Sequence, residues 1–245
     1  MAVTDKSLRE IAPDVWEVLH TVKLPGGIKM ETRMTVIRLK NGELMLVSPV
    51  PINDDLAAKL AELGPVRHAV SPNCWHHLYL PQCLERYPEA QTFGPPGIQA
   101  KRPDVAFTAL LENEAPEAWR GQIDQRVILG APEFNEVIFC HRASRTLVAT
   151  DMVFNIQRPK GLLQWLVLHL AGTYKKFAFS RLFGMQVKDN AAVGSSLAHV
   201  LEWDFDRVVM AHGDVYEPGA REACARIWKR FRSAHQALPQ GHSHG

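Results

Sequence analysis

The chain has 245 residues, 46% hydrophobic and 22% charged, enough for one large domain with its own core and ordinary for a globular protein. Its formal net charge of +2 is too small for a general nucleic-acid binder, so nucleic acid is not an expected partner. Four scattered cysteines (Cys74, Cys83, Cys140, Cys224) form no CxxC pair, and Met1–Lys6 has no apolar run of signal-peptide type; both features lead us to expect free thiols in the cytoplasm.

The first third reads as strands: Asp14–Val22, Arg33–Leu39 and Leu44–Ser48, the last two joined by an Asn41-Gly42 hairpin turn. Asn53 predicts a capped helix over Asp54–Leu63, which Gly64-Pro65 ends, and the strand Val66–Val70 follows. A helix over Leu80–Tyr87, a strand Gln91–Phe93, a Gly94–Gly97 turn and a short helix before Arg102-Pro103 come next. Strands Ile123–Leu129, Glu136–Cys140 and Thr146–Thr150 form a second series, with His141–Arg145 as the turn between the last two. A helix over Asn190–Trp203, the strand Arg207–Ala211 and a helix over Ala220–His235 close the chain. Strands first, then strand and helix units, twice over, predict a four-layer αββα sandwich rather than one doubly wound sheet. Residues 1–238 read as a single domain, and residues 239–245, with the histidines of Gly241–Gly245, as a flexible tail able to chelate stray metal.

Three predicted strand exits carry the candidate chemistry. His76 and His77 follow Val66–Ser71, Asp151 follows Thr146–Thr150, and His212 follows Val208–Ala211. Imidazole nitrogen and carboxylate oxygen brought together at strand ends suit a divalent ion: zinc, with manganese and iron as alternatives. Each residue alone has a plainer reading. Asp151 could equally be a cap or turn residue, and His20 and His68 read as hydrogen-bonded structural histidines. The Gly213 that follows His212 lets the backbone turn at once and keeps the ring at the sheet edge. Cys74, beside Trp75, reads first as packing and otherwise as a soft ligand or a reactive thiolate.

In the order of these segments the chain resembles the metallo-β-lactamase fold superfamily of metal-dependent hydrolases. Leu46–Val50 looks like that family's first aspartate-glycine strand end, Pro72–His77 takes the place of its HxHxDH motif, Gly130–Glu133 that of its lone histidine, and Thr150-Asp151 and His212-Gly213 match the last two ligand positions. The departures are specific. Pro72 and Cys74 replace the first two histidines, His76 stands where the acid should be, and Ala131 or Glu133 replaces the lone histidine. What the resemblance implies is therefore one metal, not two, with ligands His77, His212 and Asp151, and with His76 substituting for the missing acid or acting as a base.

The segment 152–190 is a lid-like insertion with an apolar helix over Leu162–Leu170, far short of the roughly 20 residues of a membrane span, followed by aromatics and bases, Tyr174–Phe183. Three readings compete for it: an aromatic lid over an apolar substrate, an interfacial element with Lys175, Lys176 and Arg181 at lipid phosphates, or core packing or a subunit contact, which also allows a homodimer. The last is the first expectation, and a membrane surface ranks behind it. Together these features predict a cytoplasmic hydrolase of a small ester, thioester, lactone or phosphodiester, with Asp151 and His76 at the chemistry. The alternative is a non-catalytic ligand- or partner-binding protein with a degenerate site that holds no metal.

Overall fold

In the computed structural model, which describes residues 7–23, 27, 29–159 and 161–236, the N-terminal third is the antiparallel meander that its alternation predicts. The strands β1 (Arg9–Ala12), β2 (Val15–Lys23), β3 (Lys29–Arg38) and β4 (Leu44–Val47) pair in sequence order. Gly42 takes φ +83° in the β3–β4 turn, and the Asn41 side chain accepts the Glu43 N–H there. The helix α1 (Asp54–Leu63) begins where Asn53 accepts the Leu56 N–H at 3.0 Å and ends at Gly64, as its sequence predicts. It carries the chain back to lay β5 (Val66–Val70) parallel to β4, with α2 (Leu80–Arg86), β6 (Gln91–Gly94), α3 (Ile98–Lys101) and β7 (Ala109–Leu110) completing a seven-stranded sheet.

The second sheet has the order β13-β10-β9-β8, from β8 (Ile123–Val127), β9 (Val137–His141), β10 (Thr146–Val148) and β13 (Arg207–Val209). Period-two alternation sorts its side chains onto two faces. Val137 and Phe139 meet Met45, Val47 and Val70 of the first sheet, whereas Ile138 and Cys140 face Val193, Leu197 and Val200 of α6 (Asn190–Val200). On the far side of the first sheet, Leu44 and Leu46 of β4 pack against Leu56 and Leu60 of α1. The layers are thus helix, sheet, sheet, helix, as expected.

Two features differ from expectation. The last helix is broken into α7 (Ala220–Ile227) and α8 (Lys229–Gln236) at Trp228, a fully buried residue whose indole N–H donates to the Met152 carbonyl at 3.2 Å. The segment between Asp151 and α6 holds β11 (Phe154–Asn155), α4 (Leu162–Ala171), β12 (Phe177–Ala178) and α5 (Arg181–Gly184), with β11 and β12 paired. Here the apolar helix is not core. It buries Gln164, Leu168 and Ala171 and turns its other leucines to the exterior. The expected tail, 239–245, lies outside the described residues.

Candidate metal centre

Parallel pairing explains why distant residues meet. Because β4 and β5 run parallel, Ser48 and the loop from Ser71 leave the first sheet at one edge; because β10 and β13 run parallel, Asp151 and His212 leave the second together. The Val137 N–H to Pro72 carbonyl bond, 2.7 Å, and the Cys74 N–H to Phe134 carbonyl bond, 2.9 Å, tie the two edges.

At this junction His76, Asp151 and His212 each present one ligand atom, all within 4.8 Å of one another. Nε2 of His76 stands 3.2 Å from Oδ2 of Asp151, and Nε2 of His212 stands 3.2 Å from Oδ1. The far nitrogen of each ring is fixed: Nδ1 of His76 lies 2.8 Å from the Ser48 hydroxyl, and Nδ1 of His212 donates to the Glu31 carbonyl at 2.6 Å. Phe154 stacks on the His212 ring, with centroids 5.4 Å apart and planes at 15°.

Burial alone would raise the Asp151 carboxyl, but the imidazoles of His76 and His212 outweigh it and hold that carboxyl well below the usual carboxylate range. The same contact acts in reverse on His212. Burial disfavours its proton, yet the Asp151 hydrogen bond and charge prevail and raise it. A divalent ion would take that proton's place, since neutral imidazole is the ligand form.

These residues fit a metal. For ligand bonds of about 2.0–2.2 Å in a tetrahedron, neighbouring donor atoms lie about 3.3–3.6 Å apart; the two imidazole–carboxylate separations, 3.2 Å to different oxygens of Asp151, are close to this, and all three donor atoms lie within 4.8 Å. Two imidazoles and a carboxylate, with both rings oriented through their second nitrogen, form a donor set suited to zinc, iron or manganese.

His77 is not among the three, contrary to the expectation that it would be a ligand. The reason is a side-chain turn: Oδ1 of buried Asn73 accepts the N–H of Trp75 at 2.9 Å and of His76 at 2.8 Å, which wraps the chain and presents His76 to Asp151. One residue on, His77 feels instead Arg102 and Lys101; burial first, and then those charges, depress its affinity for a proton. Ala131 is buried in the core and Glu133 is exposed, so neither joins the cluster. His20 and His68 are held elsewhere, by Tyr79 at 3.0 Å and Glu43 at 3.1 Å.

Several supporting residues escaped the sequence reading. Asn73 Nδ2 also donates to Oδ2 of Asp151 at 2.8 Å and to Thr150 at 2.9 Å. Buried Glu136 accepts the N–H groups of Thr150, Asp151 and Met152 at 2.8, 2.8 and 3.1 Å, and burial pushes its carboxyl up to about 7, with the Asp151 charge pushing the same way. Arg33, paired with Glu17 at 2.7 Å, donates to the carbonyls of Met210 and Gly213 on either side of His212. A polar residue ending or opening an apolar strand was the only signal for Glu136 and Arg33, and it does not separate a buried clamp from a surface charge.

The cluster lines a cavity of about 360 Å³ whose other walls are largely apolar, including Met30, Trp75, Phe154, Val167 and Phe183. Cys74 is outside it. Burial raises its thiol, with Lys101 opposing, and its Sγ contacts the Pro96 carbonyl at 3.6 Å; burial also pushes Cys83 and Cys140 up to about 12. A thiolate role for Cys74 therefore lacks the electropositive, open setting it needs. Alkylation of the native protein at neutral pH should run at least about tenfold slower than that of free cysteine and recover on unfolding; a fast native thiol that maps to Cys74 would contradict this burial.

Comparison with known proteins places the chain further. The model of a family described as a domain of unknown function, DUF4336, matches residues 14–167. No curated protein matches the sequence. Among solved structures, the chain is similar to DIM-1 metallo-β-lactamase exposed to ceftazidime (12% identity, 91% of this chain and 96% of that one, TM-score 0.63). It is also similar to a metallo-β-lactamase from Pontibacter korlensis (12% identity, 91% and 98%, TM-score 0.61). A metal-soaked flavodiiron core from Synechocystis resembles it over 94% of this chain and 62% of its own length, at 13% identity and TM-score 0.61. At such identities these likenesses establish the fold, which is of metallo-β-lactamase type.

Proposed function

The chain belongs to the DUF4336 family, and from the geometry above we propose that it is a metal-dependent hydrolase with a mononuclear site formed by His76, Asp151 and His212. The observation that carries this reading is the convergence of the three donor atoms within 4.8 Å in the wall of a largely apolar cavity. An ion held there supplies Lewis-acid activation of water toward an ester, thioester, lactone or phosphodiester. The protein supplies the rest. Ser48 and the Glu31 carbonyl orient the two rings, Asn73 and Glu136 fix Asp151, and the apolar walls accept the substrate's hydrocarbon part and exclude bulk water. His76, with Nδ1 against the Ser48 hydroxyl, is held so that Nε2 is the nitrogen it offers to the ion beside Asp151.

One observation favours the non-catalytic alternative. Both Asp151 oxygens already have partners, Oδ1 with His212 and Oδ2 with His76 and Asn73, so the network closes without an ion. Metal analysis of untagged protein ending at Leu238 separates the two. The hydrolase reading predicts about one divalent ion per chain, lost in His76→Ala and His212→Ala together with cleavage of short aryl esters, and retained in His77→Ala. Metal-free native protein with no hydrolysis after zinc, manganese or iron is added would leave the binding network as the correct account.

A further inference from the structure

The helix α4 is mounted against the usual rule. A water-facing helix buries its apolar stripe, yet α4 buries Gln164, whose amide N–H reaches the Lys29 carbonyl at 3.2 Å, and exposes Leu162, Leu163, Trp165, Leu166 and Leu170, with Leu162 80% and Leu170 63% exposed. Leu163 and Leu170 stand one turn to either side of Val167, and Val167 lines the cavity that the His76–Asp151–His212 cluster also lines. Leu78 and Leu182 line that cavity too and are themselves exposed, so the apolar face of α4 runs into the cavity mouth.

The charge of the segment that carries this face is one-sided, and the acid near it is Glu31, which shares a small cavity with Arg158. Residues 152–188 contain six Lys or Arg and no Asp or Glu, so with a net charge of +2 the rest of the chain carries −4. Arg158, Lys175, Lys176, Arg181 and Lys188 are exposed, and none has a carboxylate partner among the described residues. Beside α4 an open groove of about 600 Å³ is lined by Arg158 and Lys175 on one hand and by Leu162, Trp165 and Tyr174 on the other, which offers a cationic rim over an apolar and aromatic floor.

We propose that the α4 face docks on an anionic lipid bilayer, its leucines among the acyl chains and its bases at the headgroup phosphates, so that the cavity mouth opens toward lipid. Each element suits that occupant. α4 has ten residues, about 15 Å of helix, and no helix among the described residues is long and apolar enough to cross a membrane, so the helix lies in the interface. Trp165 and Tyr174 are the amphipathic aromatics favoured at headgroup depth. A second copy of the chain fits worse, because a two-fold interface would set two strongly cationic faces against each other, whereas anionic headgroups attract them.

Docking does not depend on the metal reading, and the experiment keeps the two apart. Co-sedimentation of the full chain with vesicles of phosphatidylcholine alone, or with roughly 30% phosphatidylglycerol, measures partition directly. Binding is expected to the anionic vesicles only, to weaken as salt rises, to fall by about tenfold or more in Leu166→Asp with Leu170→Asp and in Arg158→Glu with Lys175→Glu, and to persist in Asp151→Asn and after chelation. All four substituted side chains are exposed, and an unchanged thermal midpoint establishes that the variants fold. Failure of the native chain to sediment with anionic vesicles, or equal sedimentation of the variants, overturns the proposal. So does a native dimer that Leu166→Asp with Leu170→Asp converts to monomer, because that result assigns the face to a second copy.

Discussion

Asp151→Asn is expected to reduce bound divalent metal from about one ion per chain to background and to abolish hydrolysis with it. The substitution keeps the shape of the side chain and removes what the site uses. Asp151 is 1% exposed, and its two oxygens face Nε2 of His76, Nε2 of His212 and the Asn73 amide. An Asn there supplies one oxygen and one NH₂ group. With its NH₂ toward Asn73 a donor meets a donor, at about 1–3 kcal/mol for the buried mismatch; turned the other way, the NH₂ donates to Nε2 of His212 and occupies the lone pair that the ion would use. The carboxylate charge that attracts a cation is lost as well, so affinity should fall by more than the roughly 10–100-fold that follows loss of an outer partner such as the Ser48 hydroxyl. Calorimetric titration with zinc reads both effects: Ser48→Ala should weaken binding within that range, whereas Asp151→Asn should leave no measurable site. Native-like affinity in Asp151→Asn would remove the carboxylate from the ligand set.

Local physics was legible wherever one segment determines its own structure. Asn53 and Gly64-Pro65 bound α1 at the residues where it begins and ends, and the alternation of β9 already sorts Val137 and Phe139 from Ile138 and Cys140. The two-residue strands β7, β11 and β12 were not legible, because so short a run carries no usable period. The split of the last helix at Trp228 was hidden for another reason. It serves a contact with Met152, 76 positions away, which no local pattern encodes.

In the candidate site the same division holds at the level of single residues. That Asp151 and His212 follow strands could be read, since an apolar run stops at each; that they face each other depends on β10 and β13 being parallel neighbours. The choice between His76 and His77 could not be read. Adjacent residues in an irregular loop point in different directions, and the direction here is decided by Asn73, whose side chain takes the N–H of His76. The orientation of α4 was also invisible, because a helix that is apolar on nearly every side has no stripe to say which face is buried.

Near the candidate site, a position with little tolerance of change should be Gly213, which touches no candidate ligand through a side chain of its own. Its φ of +112° already disfavours any other residue, and a Cβ there would stand 2.2 Å from the Asn155 carbonyl oxygen and 2.3 Å from its carbon. Backbone cannot move aside as a flexible side chain can, since Asn155 is itself held by its bond to His212 at 3.2 Å and by the Asp214 N–H at 2.9 Å. Gly213→Ala should therefore cost about 3 kcal/mol or more, the sum of conformational strain and overpacking. Gly121→Ala is the control: φ is +77° but nothing lies within 4 Å of the added methyl, so only the conformational cost of about 1 kcal/mol applies. Urea unfolding of the two variants gives the difference. The larger effect at Gly213 should be accompanied by weaker metal binding, because the strand end that the methyl displaces carries His212, while Arg33 grips the carbonyls of Met210 and Gly213 on either side of it. Equal losses in the two variants would mean that this loop yields and that the close approach of Gly213 to Asn155 does not set the position of His212.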